Sequence, residues 1–181
     1  MKISKTVIPE VLTIEPEVYG DERGFFFESF NQRIWRQSTG IERPFVQDNH
    51  SRSVRGVLRG IHYQIRQVQG KLVRVVAGEV FDVAVDLRRS SPTFGSWVGE
   101  FLSAENFRQF WIPEGFGHAF VVLSESAEFL YRTTDFWAPE YERCILWNDP
   151  ELNIRWPIDF APLLSDKDGK GTLLKDADIY E

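Results

Sequence analysis

Cysteine is almost missing from this sequence: Cys144 is the only one in 181 residues. No internal disulfide can form, which points to a reducing compartment and excludes a metal site built on thiolates. Long apolar runs are missing too. Met1 to Glu10 carries charges and a proline, so it reads as neither a signal peptide nor a membrane anchor. The expectation is a soluble, cytoplasmic protein. Histidine is scarce, with only His50, His62 and His118. Strong helix signals are few, which argues against a parallel α/β sheet, because that architecture needs crossover helices. A net charge of −6 makes nucleic acid a poor default partner.

One absence is local. Between Asp48 and Glu79 there is no acidic residue, while Arg52, Arg55, Arg59, Arg66, Lys71 and Arg74 fall in that interval. A basic block inside an acidic chain is either a solvated face or a preference for an anion.

What the sequence does contain is many short strand signals. Apolar residues make up 43% of the chain, enough for a packed core in one domain spanning residues 1–181. Strands are expected over residues 24–30, 45–49, 57–63, 71–77, 80–87, 97–102, 118–123 and 127–133. Gly78-Glu79 reads as a hairpin turn, and Ser124 to Ser126 as a second turn. The best helix is residues 31–39, capped by Asn31 and stopped by Gly40; Ser165 can cap a short turn near the C-terminus. This pattern predicts an all-β sandwich, barrel or jelly roll. Alternation places Gln47 and Asn49 on one face and groups Phe129, Tyr131 and Thr133 on another. Polar side chains facing the inside of a barrel imply a ligand cavity.

His62 lies in the strand pattern Arg59-Gly60-Ile61-His62-Tyr63, within the acid-free block. A lone strand histidine is more often structural, but its basic setting favours a functional role. Strict alternation puts Arg59 and His62 on opposite faces, and a bulge at Gly60 would bring them together. Metal-binding jelly rolls use two histidines one residue apart, but Gln64 stands where the second ligand would be and His118 is isolated. General acid–base chemistry without a metal is the better expectation. His62 is then the natural base, held by a carboxylate. Tyr131 is a candidate acid, or else a core aromatic with its hydroxyl at the rim. Lys71 is a candidate for steadying an oxyanion, or else a strand-end lysine.

The segments Gly20-Asp21-Glu22-Arg23-Gly24-Phe25-Phe26-Phe27-Glu28-Ser29, Gln47-Asp48-Asn49-His50-Ser51, Gly56 to Gln64, Gln69 to Arg74, Gly78 to Asp86 and Trp111 to Phe116 occur in this order. Trp147-Asn148-Asp149-Pro150 and Leu164-Ser165-Asp166-Lys167-Asp168 follow. Together they resemble the dTDP-4-dehydrorhamnose 3,5-epimerase family over nearly the whole chain. The resemblance implies a cupin-type jelly roll, a homodimer with an exchanged N-terminal strand, no cofactor, and a dTDP-sugar substrate inverted at C3 and C5. It implies His62 as base, Asp168 as its partner, Tyr131 as acid and Lys71 beside the ketone. Arg23, Phe26, Glu28, Gln47, Asn49, Arg59, His118, Phe136, Glu142 and Lys167 fall at substrate-contacting positions.

Two departures stand out. Gly117-His118-Ala119 replaces the family's common Ala-His-Gly. Phe136 stands where some members place a tyrosine against thymine, and whether Phe136 or the neighbouring Trp137 does the stacking is open. The rivals are a relative that inverts one carbon, a non-catalytic sugar-binding jelly roll and a metal-dependent dioxygenase.

Overall fold

A computed structural model describes all residues, 1–181. The strands are β1 (Lys2–Lys5), β2 (Leu12–Glu15), β3 (Tyr19–Asp21) and β4 (Gly24–Phe26), followed by helix α1 (Gln32–Thr39). Then come β5 (Gln47–Val54), β6 (Leu58–Gln64), β7 (Lys71–Ala77), β8 (Glu79–Asp86), β9 (Trp97–Ser103), β10 (Gln109–Ile112), β11 (Phe116–Val122), β12 (Ser126–Thr133) and β13 (Glu142–Cys144). A single helical turn, α2 (Asp166–Gly169), lies near the C-terminus. No helix is long and apolar enough to cross a membrane.

Two antiparallel sheets form a jelly roll, ordered β1-β2-β10-β7-β12-β5 and β13-β6-β11-β8-β9. The expected hairpin at Gly78-Glu79 is not one. β7 pairs with β10 and β12, whereas β8 pairs with β9 and β11, so the chain changes sheets there. Ser124 to Ser126 likewise carries the chain from β11 in one sheet to β12 in the other. A positive-φ glycine serves a corner as well as a hairpin, so the local signal is the same. Gly78 (φ 76°) lets the two corners touch, because a Cβ there would lie 2.0 Å from the Ser126 carbonyl oxygen.

Alternation decides what lies between the sheets. Val73, Val75, Phe110 and Phe129 from one sheet meet Val80, Ala84, Phe116 and Phe120 from the other. The Phe120 and Phe129 rings stack at 4.4 Å. The outer face of the β6 sheet, with Leu58, Ile61, Val83 and Val121, is covered by Ile145, Leu152, Leu174 and Ala177 from the C-terminal segment. The outer face of the β7 sheet is covered through Trp35 of α1, packed on Leu12, Ile14, Leu72 and Trp111. α1 has the expected caps: the Asn31 side chain accepts from the amides of Arg33 and Ile34, and Gly40 is left-handed.

The same alternation leaves one end of the sandwich polar. β5 turns Gln47, Asn49, Ser51 and Ser53 inward and exposes the residues between them. Phe129, Tyr131 and Thr133 of β12 share the inward face, as expected from their spacing. The strand expected over residues 24–30 stops at Phe26 and pairs only with β3, forming a two-stranded arm outside both sheets.

Candidate functional site

β6 and β11 pair with His62 opposite His118 and Arg59 opposite Phe120, so two residues of β6 face the single Ala119. This is the bulge expected at Gly60. Gly60 has φ +112°, and a Cβ there would sit 2.4 Å from the His118 carbonyl oxygen. Only glycine fits, and the extra residue turns Arg59 and His62 into one cavity. That cavity measures about 320 Å³ and is lined by Asn49, Arg59, His62, Lys71, His118, Tyr131, Glu142 and Lys167, together with Ser51, Gln64, Gln69 and Trp137.

His62 is held from behind. Its Nε2 lies 2.6 Å from Asp168 Oδ1, which also accepts from the Gly60 amide at 3.1 Å. Ser165 caps α2, and its hydroxyl donates to Asp168 Oδ2 at 2.6 Å. The turn expected at Ser165 is thus what carries Asp168 to the histidine. Burial works to raise the Asp168 pKa, but the bonds from His62, Ser165 and the Gly60 amide outweigh it and bring the value down to about 2. Burial pushes His62 below its ordinary value of 6.5. Asp168 opposes that shift, and the positive charges of Lys167 and Lys71 reinforce it. At neutral pH the ring is therefore uncharged. With an ionised carboxylate at Nε2, that nitrogen carries the hydrogen and Nδ1 keeps its lone pair.

Tyr131 stands on the other sheet, so base and phenol come from opposite walls. Burial first, then the charge of Glu142, raises its pKa, so the phenol keeps its proton at working pH. Lys71 is buried, with Nζ 3.5 Å from the His62 carbonyl oxygen. Burial lowers its pKa to about 8, against the pull of Glu142 and Asp82. It remains mainly an ammonium at neutral pH. Glu142 and Lys167 pair at 2.9 Å, and Arg59 Nε donates to Ser53 at 3.1 Å.

Five expected residues lie elsewhere. Gln47 sits at the rim, donating to Asn49 at 2.8 Å and accepting from the Trp137 amide at 3.0 Å. Phe136 is not among the lining residues; Trp137, its neighbour, is. Arg23, Phe26 and Glu28 belong to the N-terminal arm, where Phe26 is 70% exposed and Arg23 pairs with Asp21. The arm does not reach its own chain's cavity.

Sequence reasoning missed Asp82. It is fully buried on β8, and both its oxygens lie within 3.1 Å of His118 Nε2. Burial raises its pKa, and His118 and Lys71 oppose that shift. The signal was present: Asp82 is a lone carboxylate within the apolar run from Val80 to Val85. Sequence reasoning also gave Cys144 no place in the site. It lies opposite His62 in the β13–β6 ladder, with Sγ 4.0 Å from Asp168 Oδ1. Burial pushes its thiol up to about 12, so it stays protonated.

The model of the family described as dTDP-4-dehydrorhamnose 3,5-epimerase matches residues 5–176. A Pseudomonas aeruginosa protein named dTDP-4-dehydrorhamnose 3,5-epimerase is 69% identical over 180 residues, covering 99% of each chain. A Legionella pneumophila dTDP-6-deoxy-D-glucose-3,5-epimerase, solved with dTDP-4-keto-L-rhamnose, superposes with a TM-score of 0.96 at 57% identity, covering 98% of this chain and 94% of that one. A 3'-monoepimerase from Streptomyces bikiniensis, solved with dTDP-quinovose, superposes at 0.89 with 38% identity, over 94% and 87% of the two chains.

Proposed function

The chain belongs to the dTDP-4-dehydrorhamnose 3,5-epimerase family, and from that premise we propose that it inverts C3 and C5 of dTDP-4-dehydro-6-deoxy-D-glucose, giving dTDP-4-dehydro-L-rhamnose. The C4 ketone acidifies the hydrogens on both neighbouring carbons. His62 Nδ1 removes one, Asp168 steadies the resulting imidazolium through Nε2–H, and the electron pair moves onto the ketone oxygen. Lys71 neutralises that oxygen. Tyr131 returns a proton from the opposite side of the ring, and the centre is inverted. Each positioned acid or base contributes roughly 10²–10⁴-fold. This scheme needs no cofactor.

The observation that carries this reading is that His62 and Tyr131 project into one cavity from opposite sheets, with Lys71 in the same lining. Arg59 and Lys167 supply charge for the diphosphate, and Asn49, Gln47, His118 and Glu142 supply polar contacts around sugar and nucleotide. A thymine ring has Trp137 available in the lining. Residues 1–181 act as one epimerase domain, in the cytoplasm, where the unpaired Cys144 thiol suits a reducing medium.

The functional unit is a homodimer with exchanged N-terminal strands. Tyr19, Phe25 and Phe26 expose more than half their area on the arm, which is much apolar surface for a lone hairpin. Arg23, Phe26 and Glu28 then serve the partner's cavity. A monomer mass by light scattering at micromolar concentration would refute the exchange.

Incubating the substrate in D₂O and following it by NMR tests the activity. Label at both C3 and C5 of an L-configured product is expected. Inversion at C3 alone would favour the second reading, a single-carbon epimerase like the Streptomyces neighbour. No label at either carbon would reduce the site to sugar-nucleotide binding.

A further inference from the structure

Beyond turnover, the geometry points to a silencing site for a thiophilic divalent cation such as Zn²⁺, built from His62, Cys144 and Asp168. A ring nitrogen, the thiol sulfur and a carboxylate oxygen lie within 4.8 Å of one another. Imidazole, thiolate and carboxylate are a donor set suited to zinc. Bonds of about 2.0–2.3 Å to a tetrahedral zinc place neighbouring ligand atoms roughly 3.4–3.8 Å apart. The structure has 2.6 Å between Nε2 and Oδ1, and 4.0 Å between Sγ and Oδ1. The third separation, ring nitrogen to sulfur, is no more than 4.8 Å, so side-chain shifts on the order of an ångström would seat the ion between them.

Two features of the fold hold this group together. Cys144 and His62 are directly paired across β13 and β6, so their side chains project to the same side of the ladder. Asp168 is anchored independently, by the Gly60 amide and by Ser165. Lys167, on the same turn, turns its ammonium to Glu142 at 2.9 Å. The reaction scheme gives Cys144 no task.

Occupancy would switch off the base by a simple proton balance. The ion takes the Nε2 lone pair, so the hydrogen that Nε2 carries must move to Nδ1. The thiol proton goes to water, and no oxidation is involved. With hydrogen on Nδ1, His62 has no lone pair facing the substrate. Binding and inhibition are separable: inhibition rests on the proposed epimerase activity, whereas binding rests only on the three side chains.

The test uses the purified full chain after chelator treatment. Cobalt(II) reports the site without substrate, because a cobalt–thiolate bond gives a charge-transfer band in the near ultraviolet. A stoichiometric band in the wild type and its loss in Cys144→Ala are expected. In the activity assay Zn²⁺ should inhibit the wild type, a chelator should restore it, and Cys144→Ala should need about tenfold more zinc or beyond. Cys144→Val is a second variant should the alanine protein not fold. Absence of the cobalt band in the wild type, or equal zinc sensitivity in both proteins, overturns the proposal. If no turnover is found at all, the cobalt titration still decides the site while the epimerase reading falls alone.

Discussion

His62 and Asp168 meet at 2.6 Å although they stand 106 positions apart in the chain. The contact needs a bulge at one end and a capped turn at the other. Asp168 in turn accepts from the backbone of the bulge itself, so the base and its support are built as one unit. His62→Ala is expected to abolish exchange at both carbons, while dTDP binding measured by calorimetry stays near wild type. Asp168→Asn keeps the packing but puts a neutral amide beside Nε2, and exchange should fall by about 10²–10⁴-fold. Residual exchange in His62→Ala, or a wild-type rate in Asp168→Asn, would contradict these roles.

The shifts of His62 and Lys71 set opposite limbs of a pH profile. His62 works uncharged, and burial holds its pKa below 6.5, so kcat/KM should fall only as acid carries the pH below that value. Lys71 works charged, and burial brings its pKa to about 8, so kcat/KM should fall as the pH rises through that value. A bell with its plateau between these limits is expected. Lys71→Arg, which keeps the charge to much higher pH, should be slower but lose the alkaline limb. An alkaline limb unchanged in that variant would assign it to another group.

Gly60 shows what a single methyl would do. A Cβ there meets the His118 carbonyl oxygen at 2.4 Å and the Ala119 Cβ at 2.7 Å, at a φ that disfavours any side chain. Gly60→Ala should destabilise the chain by about 2–4 kcal/mol, from backbone strain and overpacking together. Urea denaturation checks this. Loss of the bulge also returns Arg59 and His62 to opposite faces, so activity should fall further than stability alone explains.

Much of the fold and site was legible because period-2 alternation and caps are local. Gln47 and Asn49, Phe129 and Tyr131, the Asn31 and Gly40 caps and the Gly60 bulge all follow from neighbours in sequence. Long-range choices were not legible. Gly78 could end a hairpin or turn a corner, and only the distant pairing partners, β10 and β12 for β7 and β9 and β11 for β8, decide for the corner. Asp82 looked like one member of a strand motif until β11 brought His118 against it. Cys144 had no place in the site read from sequence, because its neighbours there come from β6 and α2. Phe136 and Trp137 are adjacent, and only the loop's path tells which one lines the cavity.

Tyr131 offers the sharpest test of the two-wall arrangement. In Tyr131→Phe the His62–Asp168 pair is untouched, so a hydrogen can still leave from C3 or C5. Lys71 still receives the developing charge on the ketone oxygen. What disappears is the proton source on the other sheet. The enolate must then recover its proton from the His62 side, which restores the starting configuration. Deuterium should therefore enter the substrate with little inverted product, and the ratio of exchange to inversion should rise by roughly 10²-fold or more. Only one oxygen is removed, and no protein partner is bonded to it, so stability should change by no more than about 1 kcal/mol. Labelling and product formation are followed together by NMR in D₂O. A parallel fall in both would mean that Tyr131 acts on binding or on the first proton transfer, and the acid would have to be sought elsewhere in the cavity.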